Sequence, residues 1–215
     1  MTLTDPQIER YSRQIIVPRV GGRAQRRLLA ARTVISADAA DIEAPLAYLV
    51  GAGVGRIELD RGAPDFKIDE IAATMRALNP ESAVAAFAAD DSSRAPDLVF
   101  AIVGSAASQS SARALCAKLS DVPCIVARLD SPALIGVFPA PSPCAFCSDA
   151  VLTKPYGERS PQAGVVAMAA TAEVFKLLAG YDAVPRAALI EFDGFASRVR
   201  EPVRNLNCAC AGQSA

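Results

Sequence analysis

The feature that most constrains this chain is a regular alternation of short apolar runs and longer amphipathic stretches between residues 32 and 130. Residues 33–36, 56–59, 84–87, 97–103 and 123–127 read as strands, the first a short apolar run and the fourth strongly apolar. Residues 44–51, 67–78 and 110–119 lie between them and read as helices, the first ending at Gly51 or Gly53 and the second closed by Asn79-Pro80. Strands and helices that alternate at this spacing predict an α/β, Rossmann-like, doubly wound and mostly parallel sheet with helices on both faces. Beyond residue 130 the rhythm changes. Residues 134–138 and 188–192 read as strands, an Ala-rich helix is expected over 162–178, and 198–202 reads as extended. This half is expected to form a mixed C-terminal extension. Residues 139–147 and 153–160 read as loops, and 212–215 as a frayed tail.

Ahead of the alternation, residues 5–31 read as helical. Ile8, Tyr11, Ile15 and Ile16 make an apolar stripe, and Pro18 with Gly21-Gly22 marks a break. A second helix over 22–31 is expected to expose Arg23, Arg26, Arg27 and Arg32. The expected organisation is one domain over 1–215, with N-terminal helices in 1–31, a Rossmann-like half in 32–130 and a C-terminal half in 131–215. At 215 residues and 52% hydrophobic composition the chain can bury a core of that size. A net charge of −1 carries no footprint for nucleic acid, no apolar run reaches the roughly 18 residues that span a bilayer, and the N-terminus is too polar for a secretory signal. A cytoplasmic location without a membrane partner is the expectation. In a reducing compartment, six cysteines point to metal or redox chemistry, and the absence of histidine makes any zinc site rich in thiolates.

Several ordered motifs resemble the ThiF/MoeB/HesA family, the adenylyltransferases related to ubiquitin-activating enzymes. The first is Arg10-Tyr11-Ser12-Arg13-Gln14-Ile15, similar to the family's R-Y-x-R-Q-I helix. Ala52-Gly53-Val54-Gly55-Arg56-Ile57-Glu58-Leu59 is similar to A-G-V-G-x-I-x-L, and Lys67 and Asn79-Pro80 fit the ends of the next helix. Residues 164–178 match the helix G-V-x-x-x-x-A-x-x-A-x-E-x-x-K-L-L, which lies between two cysteine pairs. The resemblance implies a dimeric protein that binds MgATP and adenylates the C-terminus of a ubiquitin-like sulfur carrier. Phosphates would be held by the amides of a glycine-rich turn at a helix N-terminus.

The residues that would do this chemistry are largely replaced. The family's G-x-G-G-x-G falls on Ala37, Asp38, Ala39, Ala40, Asp41 and Ile42, which puts two carboxylates where phosphates would lie. These aspartates could instead cap the following helix, or form a new metal site. Gly104 falls on the position of an Asp that helps hold magnesium, and residues 61–66 leave no room for the family's N-L-x-R-Q segment. The stretch 153–161 holds Lys154, Tyr156, Glu158 and Arg159 but no thiol. ATP and magnesium are therefore not expected. Two candidates remain from the family set. Arg13 matches an arginine that reaches the partner's nucleotide across the dimer, and Lys67 a lysine near the phosphates. A solvated surface charge is the alternative for each.

Cys144-Ala145-Phe146-Cys147 and Cys208-Ala209-Cys210 stand at the family's two cysteine pairs. The resemblance implies one closed, structural zinc on Cys144, Cys147, Cys208 and Cys210. Two free, oxidisable pairs are the alternative. Cys116 and Cys124 read as small core residues. The reading is a non-catalytic member that forms a homodimer or heterodimer with an active paralogue, or binds a ubiquitin-like carrier protein or peptide. An atypical active adenylyltransferase and a cysteine-based metal or redox module are the rivals.

Overall fold

In the computed structural model the described residues are 2–60, 67–88, 94–139, 143–148, 151–182, 185–194, 196–205, 207–208 and 210. The expected deletion at 61–66 and the tail 212–215 lie outside them. The described elements are helices α1 (Asp5–Arg10), α2 (Ser12–Ile15), α3 (Gly21–Ala30), α4 (Ala39–Ala52), α5 (Ile68–Leu78), α6 (Ala106–Lys118) and α7 (Ala163–Ala179), and strands β1 (Arg32–Ser36), β2 (Arg56–Leu59), β3 (Ala83–Ala86), β4 (Leu98–Val103), β5 (Cys124–Arg128), β6 (Ala133–Phe138), β7 (Ala188–Asp193) and β8 (Ala196–Arg200). The strands form one sheet in the order β3-β2-β1-β4-β5-β6-β7-β8. The first five pair in parallel and the last three join antiparallel. This is the expected Rossmann-like, doubly wound α/β sheet, with the mixed extension continuing the same sheet.

Alternation along the strands assigns the two faces. Ile35, Phe100, Ile102, Ile125 and Ala127 point to a core built with Leu28 of α3, Leu46 and Leu49 of α4 and Val166, Ala170 and Val174 of α7. Val34, Val99, Ala101, Val103 and Val126 point the other way, onto Ala112, Leu115 and Cys116 of α6. Strands buried on both faces read in sequence as unbroken apolar runs, because neither face needs a polar residue.

Three expectations need correction. Arg32 is buried rather than exposed: it opens β1, and its guanidinium donates to buried Glu58 on β2 at 2.9 and 3.2 Å. Of the N-terminal apolar stripe only Tyr11 is buried, while Ile8 and Ile16 lie on the surface. Helices α4 and α6 begin five and four residues earlier than expected, at Ala39 and Ala106. The start of α6 is fixed by Ser105 and Ser108, which form a reciprocal capping box.

Tyr11, Gly53 and Asn79, far apart in sequence, meet at one junction. Asn79 Nδ2 donates to Tyr11 Oη at 2.9 Å and to the Val50 carbonyl at 2.7 Å, which ties α1, α4 and α5 together. Gly53 ends α4 at φ +86°, and a Cβ there would lie 2.7 Å from the Tyr11 ring. Glycine is needed both for the left-handed turn and for the close approach.

Candidate functional sites: the β1–α4 turn and the cysteine corner

In a sheet of this order the strand sequence reverses between β1 and β4, and ligands of doubly wound proteins bind in the crevice beyond those strand ends. Here the crevice is lined by residues 37–42 and 104–108. Asp38 stands at the N-cap of α4, yet its side chain makes no cap bond. It accepts instead from Ser105 Oγ at 3.2 Å and Ser108 Oγ at 2.8 Å, both at the N-terminus of α6. Asp41 is buried in the first turn of α4 and accepts from both terminal nitrogens of Arg159, at 2.5 and 3.2 Å. Ala37 is also buried, Ile42 packs into the core, and Ala39 and Ala40 are exposed.

Gly104 completes the arrangement. A Cβ at that position would lie 1.9 Å from Asp41 Oδ2 and 3.1 Å from Asp38 Oδ2. The carboxylates on α4 thus take the space that a side chain at the end of β4 would use. Each finds its donors inside the protein, which is the condition for keeping a buried carboxylate without a ligand.

The segment that supplies Arg159 is itself pinned. Arg128 and Asp130, at the end of β5, form an ion pair with both side chains almost fully buried. Arg128 also donates to the carbonyls of Lys154 at 2.7 Å and Pro155 at 3.2 Å, and the Gly157 amide donates to Asp130 at 2.9 Å. Burial pushes the Asp130 carboxyl up, but bonds from Arg128 and Gly157 outweigh it and leave the group below its ordinary value. In sequence this pair shows only as two charges closing an apolar strand. The family-derived candidates lie elsewhere. Lys67 is exposed at the N-cap of α5 and pairs with Glu70 at 3.1 Å, and Arg13 is exposed on α2.

At the other end of α6, beside the start of β5, the four expected cysteines come together. The ligand atoms of Cys144, Cys147, Cys208 and Cys210 all lie within 4.8 Å of one another. Cys144 and Cys208 are 3.5 Å apart, and Cys147 and Cys210 are 3.3 Å apart. Four thiolates at about 2.3 Å from one tetrahedral ion lie about 3.8 Å apart, so the cluster could hold a metal ion with small adjustments. Two turns present the first and third ligands' loops, closed by the Cys147 amide to the Cys144 carbonyl and the Cys208 amide to the Asn205 carbonyl. Burial, and then neighbouring thiols, push Cys144 and Cys147 up. Burial also acts against the Cys210 thiolate, but hydrogen bonds from Cys147 and Cys144 bring that group down to about 7. Cys116 and Cys124 are buried 3.4 Å apart on α6 and β5, as core residues. They line a cavity of about 370 Å³ that is also lined by Cys144, Phe146 and Cys208.

No family model matches the chain. It is similar to the HesA heterocyst protein of Trichormus variabilis, with 38% identity over 71 residues, 33% of this chain and 26% of that protein. It is also similar to a sulfur carrier protein adenylyltransferase of Thermus thermophilus, with 45% identity over 65 residues, 28% of this chain and 24% of that one. The matched segments thus span about a quarter of the length of these curated relatives. Among solved structures, E. coli MccB with MccA-N7isoASN aligns at TM-score 0.71 and 18% identity, covering 95% of this chain and 74% of that one. E. coli MccB with ATP gives 0.69, 18%, 94% and 73%. PaaA gives 0.65, 16%, 94% and 84%. The chain has the ThiF/MoeB-family fold, and about a third of it is similar in sequence to HesA and to a sulfur carrier protein adenylyltransferase. Among the described residues no helix is long and apolar enough to cross a membrane.

Proposed function

We propose that this chain is a non-catalytic relative of the sulfur-carrier adenylyltransferases, unable to hold MgATP, that serves as a partner or scaffold. One observation carries the reading. At the switch point of the sheet, the carboxylates of Asp38 and Asp41 point where phosphates would be cradled, and both are already satisfied by Ser105, Ser108 and Arg159. A triphosphate would have to displace those bonds and approach two buried or half-buried negative charges, which opposes its entry. Neighbouring structures include MccB with ATP and with the peptide MccA. By extension, the occupant of this chain's partner surface is a carrier protein or peptide, or an active paralogue in a homodimeric or heterodimeric assembly, with Arg13 offered across the interface. The four-cysteine corner would hold a structural zinc, with all four positions filled by protein and none open for catalysis.

Calorimetry of the purified chain with MgATP, alongside an ATP–pyrophosphate exchange assay, tests the reading. No saturable heat at micromolar nucleotide and no exchange are expected. Micromolar binding, or an AMP adduct on a carrier's C-terminus produced by the chain alone, would establish an active adenylyltransferase instead.

A further inference from the structure

Residues 10–37 hold seven arginines and no acidic residue, in a chain whose net charge is −1. Arg32 is consumed by its buried pair with Glu58. Three of the others, Arg19, Arg23 and Arg27, recur at a spacing of four and line one cavity of about 430 Å³, together with Val20, Ala24 and the C-terminal end of α7 at 179–182. Spacing of four places Arg23 and Arg27 on one face of α3, where like charges repel and destabilise the helix unless something neutralises them.

The three guanidiniums are held in different ways, and none is well neutralised. Arg19 is the one non-glycine residue among those described with a positive φ, +71°, a strained conformation for a side-chain-bearing residue. It sets the guanidinium 4.7 Å from the centre of the Tyr181 ring. Its ion pair with Asp182 is long, at 4.0 Å, with both side chains largely in water, and is worth little. Arg27 lies against Gly180, where a Cβ would meet its Nη1 at 1.6 Å, and that nitrogen reaches the Ala179 carbonyl at 3.5 Å. Arg23 is exposed between them and has no hydrogen-bond or ion-pair partner among the described residues. Three arginines therefore line one concavity whose wall, among the described residues, holds a single carboxylate, Asp182. Planar guanidiniums match the oxygens of a phosphate in pairs, and a multiply charged oxyanion suits the surplus better than a lone carboxylate does.

We propose that Arg19, Arg23 and Arg27, set around the cavity at the end of α7, form a binding site for a phosphate monoester or diphosphate group. This site is separate from the β1–α4 turn and does not depend on whether that turn admits a nucleotide. The shared chemistry is the phosphoryl oxyanion; its source is a small phosphorylated metabolite or a phosphorylated side chain.

The test is calorimetry on the full chain with two probes, inorganic pyrophosphate and a phosphoserine peptide. Saturable binding of either probe is expected, and the tighter of the two assigns the source. Arg23→Gln should weaken it about tenfold or more, the loss of one charge-assisted contact. Arg26→Gln, on the same helix but outside the cavity, should leave affinity within about twofold, which is small on the energy scale of such a contact. Both are surface substitutions that leave the core untouched. Equal weakening by the two variants would reduce the effect to a diffuse positive field and overturn the proposal, as would the absence of saturable binding to both probes.

Discussion

The β1–α4 turn and the cysteine corner both gather polar groups near the surface of one sheet, and they differ in what those groups have for company. At the turn every charged group has found a protein partner: Asp38 has two serine hydroxyls and Asp41 has Arg159. At the corner the four thiols have mainly each other, with Cys144 and Cys147 pushed up by burial in their protonated form. A cluster whose members complete one another has little to gain from a ligand. One whose members crowd together without a counter-charge gains a great deal from a cation. The turn is thus closed by partners within the protein, whereas the corner presents four ligand atoms that could hold an ion.

The largest expected effect attacks the open corner. A chelator, or Cys144→Ser, should lower stability steeply, since structural zinc contributes on the order of 10 kcal/mol in small thiolate sites. Denaturant unfolding with and without the chelator measures it. Because zinc binds thiolates, affinity should fall as pH drops and the thiols recapture protons. Loss of metal without loss of folding would reverse the comparison and favour a labile metal or redox module.

The second effect tests how firmly the closed corner is held. Asp130→Asn leaves Arg128 buried beside a neutral group, and breaking such a pair from one side costs about 3–5 kcal/mol. The sign of the pH dependence follows from the lowered pKa of Asp130. Its stabilisation is complete above the ordinary value of 3.8 and is lost as pH falls through the lower folded value. The gap between native protein and variant should therefore be wide at neutral pH and narrow in strong acid. A constant gap in urea titrations at both pH values would mean that the carboxylate charge is not what pins residues 154–157.

How much of this was legible in the sequence depends on the range of the interaction. The central strands β4 and β5 were readable because burial on both faces leaves them as nearly continuous apolar runs, and the outer strands β2 and β3 because they recur at the same spacing. The four cysteines were readable because each pair is local and thiols are scarce. The early starts of α4 and α6 lie in short stretches that open on two alanines, 39–43 and 106–109, too short to show an apolar period of their own, although Asp38 and Ser105 stood at the N-caps as usable signals. Arg32 looked like one more exposed charge of a basic helix. Only its parallel register beside Arg56, with Glu58 two residues on, shows why it is buried. The union of Asp41 with Arg159 spans 118 residues and two unrelated segments, and no periodicity or spacing encodes it.

The smallest effect is the most discriminating for the turn, because its two halves are unequally exposed. Asp41 has a side chain only 5% exposed, whereas that of Arg159 is 50% exposed. Arg159→Met would strand a buried carboxylate without its donors, at a cost of about 1–3 kcal/mol. Asp41→Asn would leave a guanidinium that water can still solvate, and should cost less, about 1 kcal/mol or below. Thermal unfolding of the two variants gives the order directly. If Asp41→Asn is the more damaging, the carboxylate is serving the helix N-terminus rather than answering Arg159. If instead Asp41→Asn is mild and the variant also begins to bind MgATP, then the charge at 41, more than the bulk of the turn, is what keeps a triphosphate out.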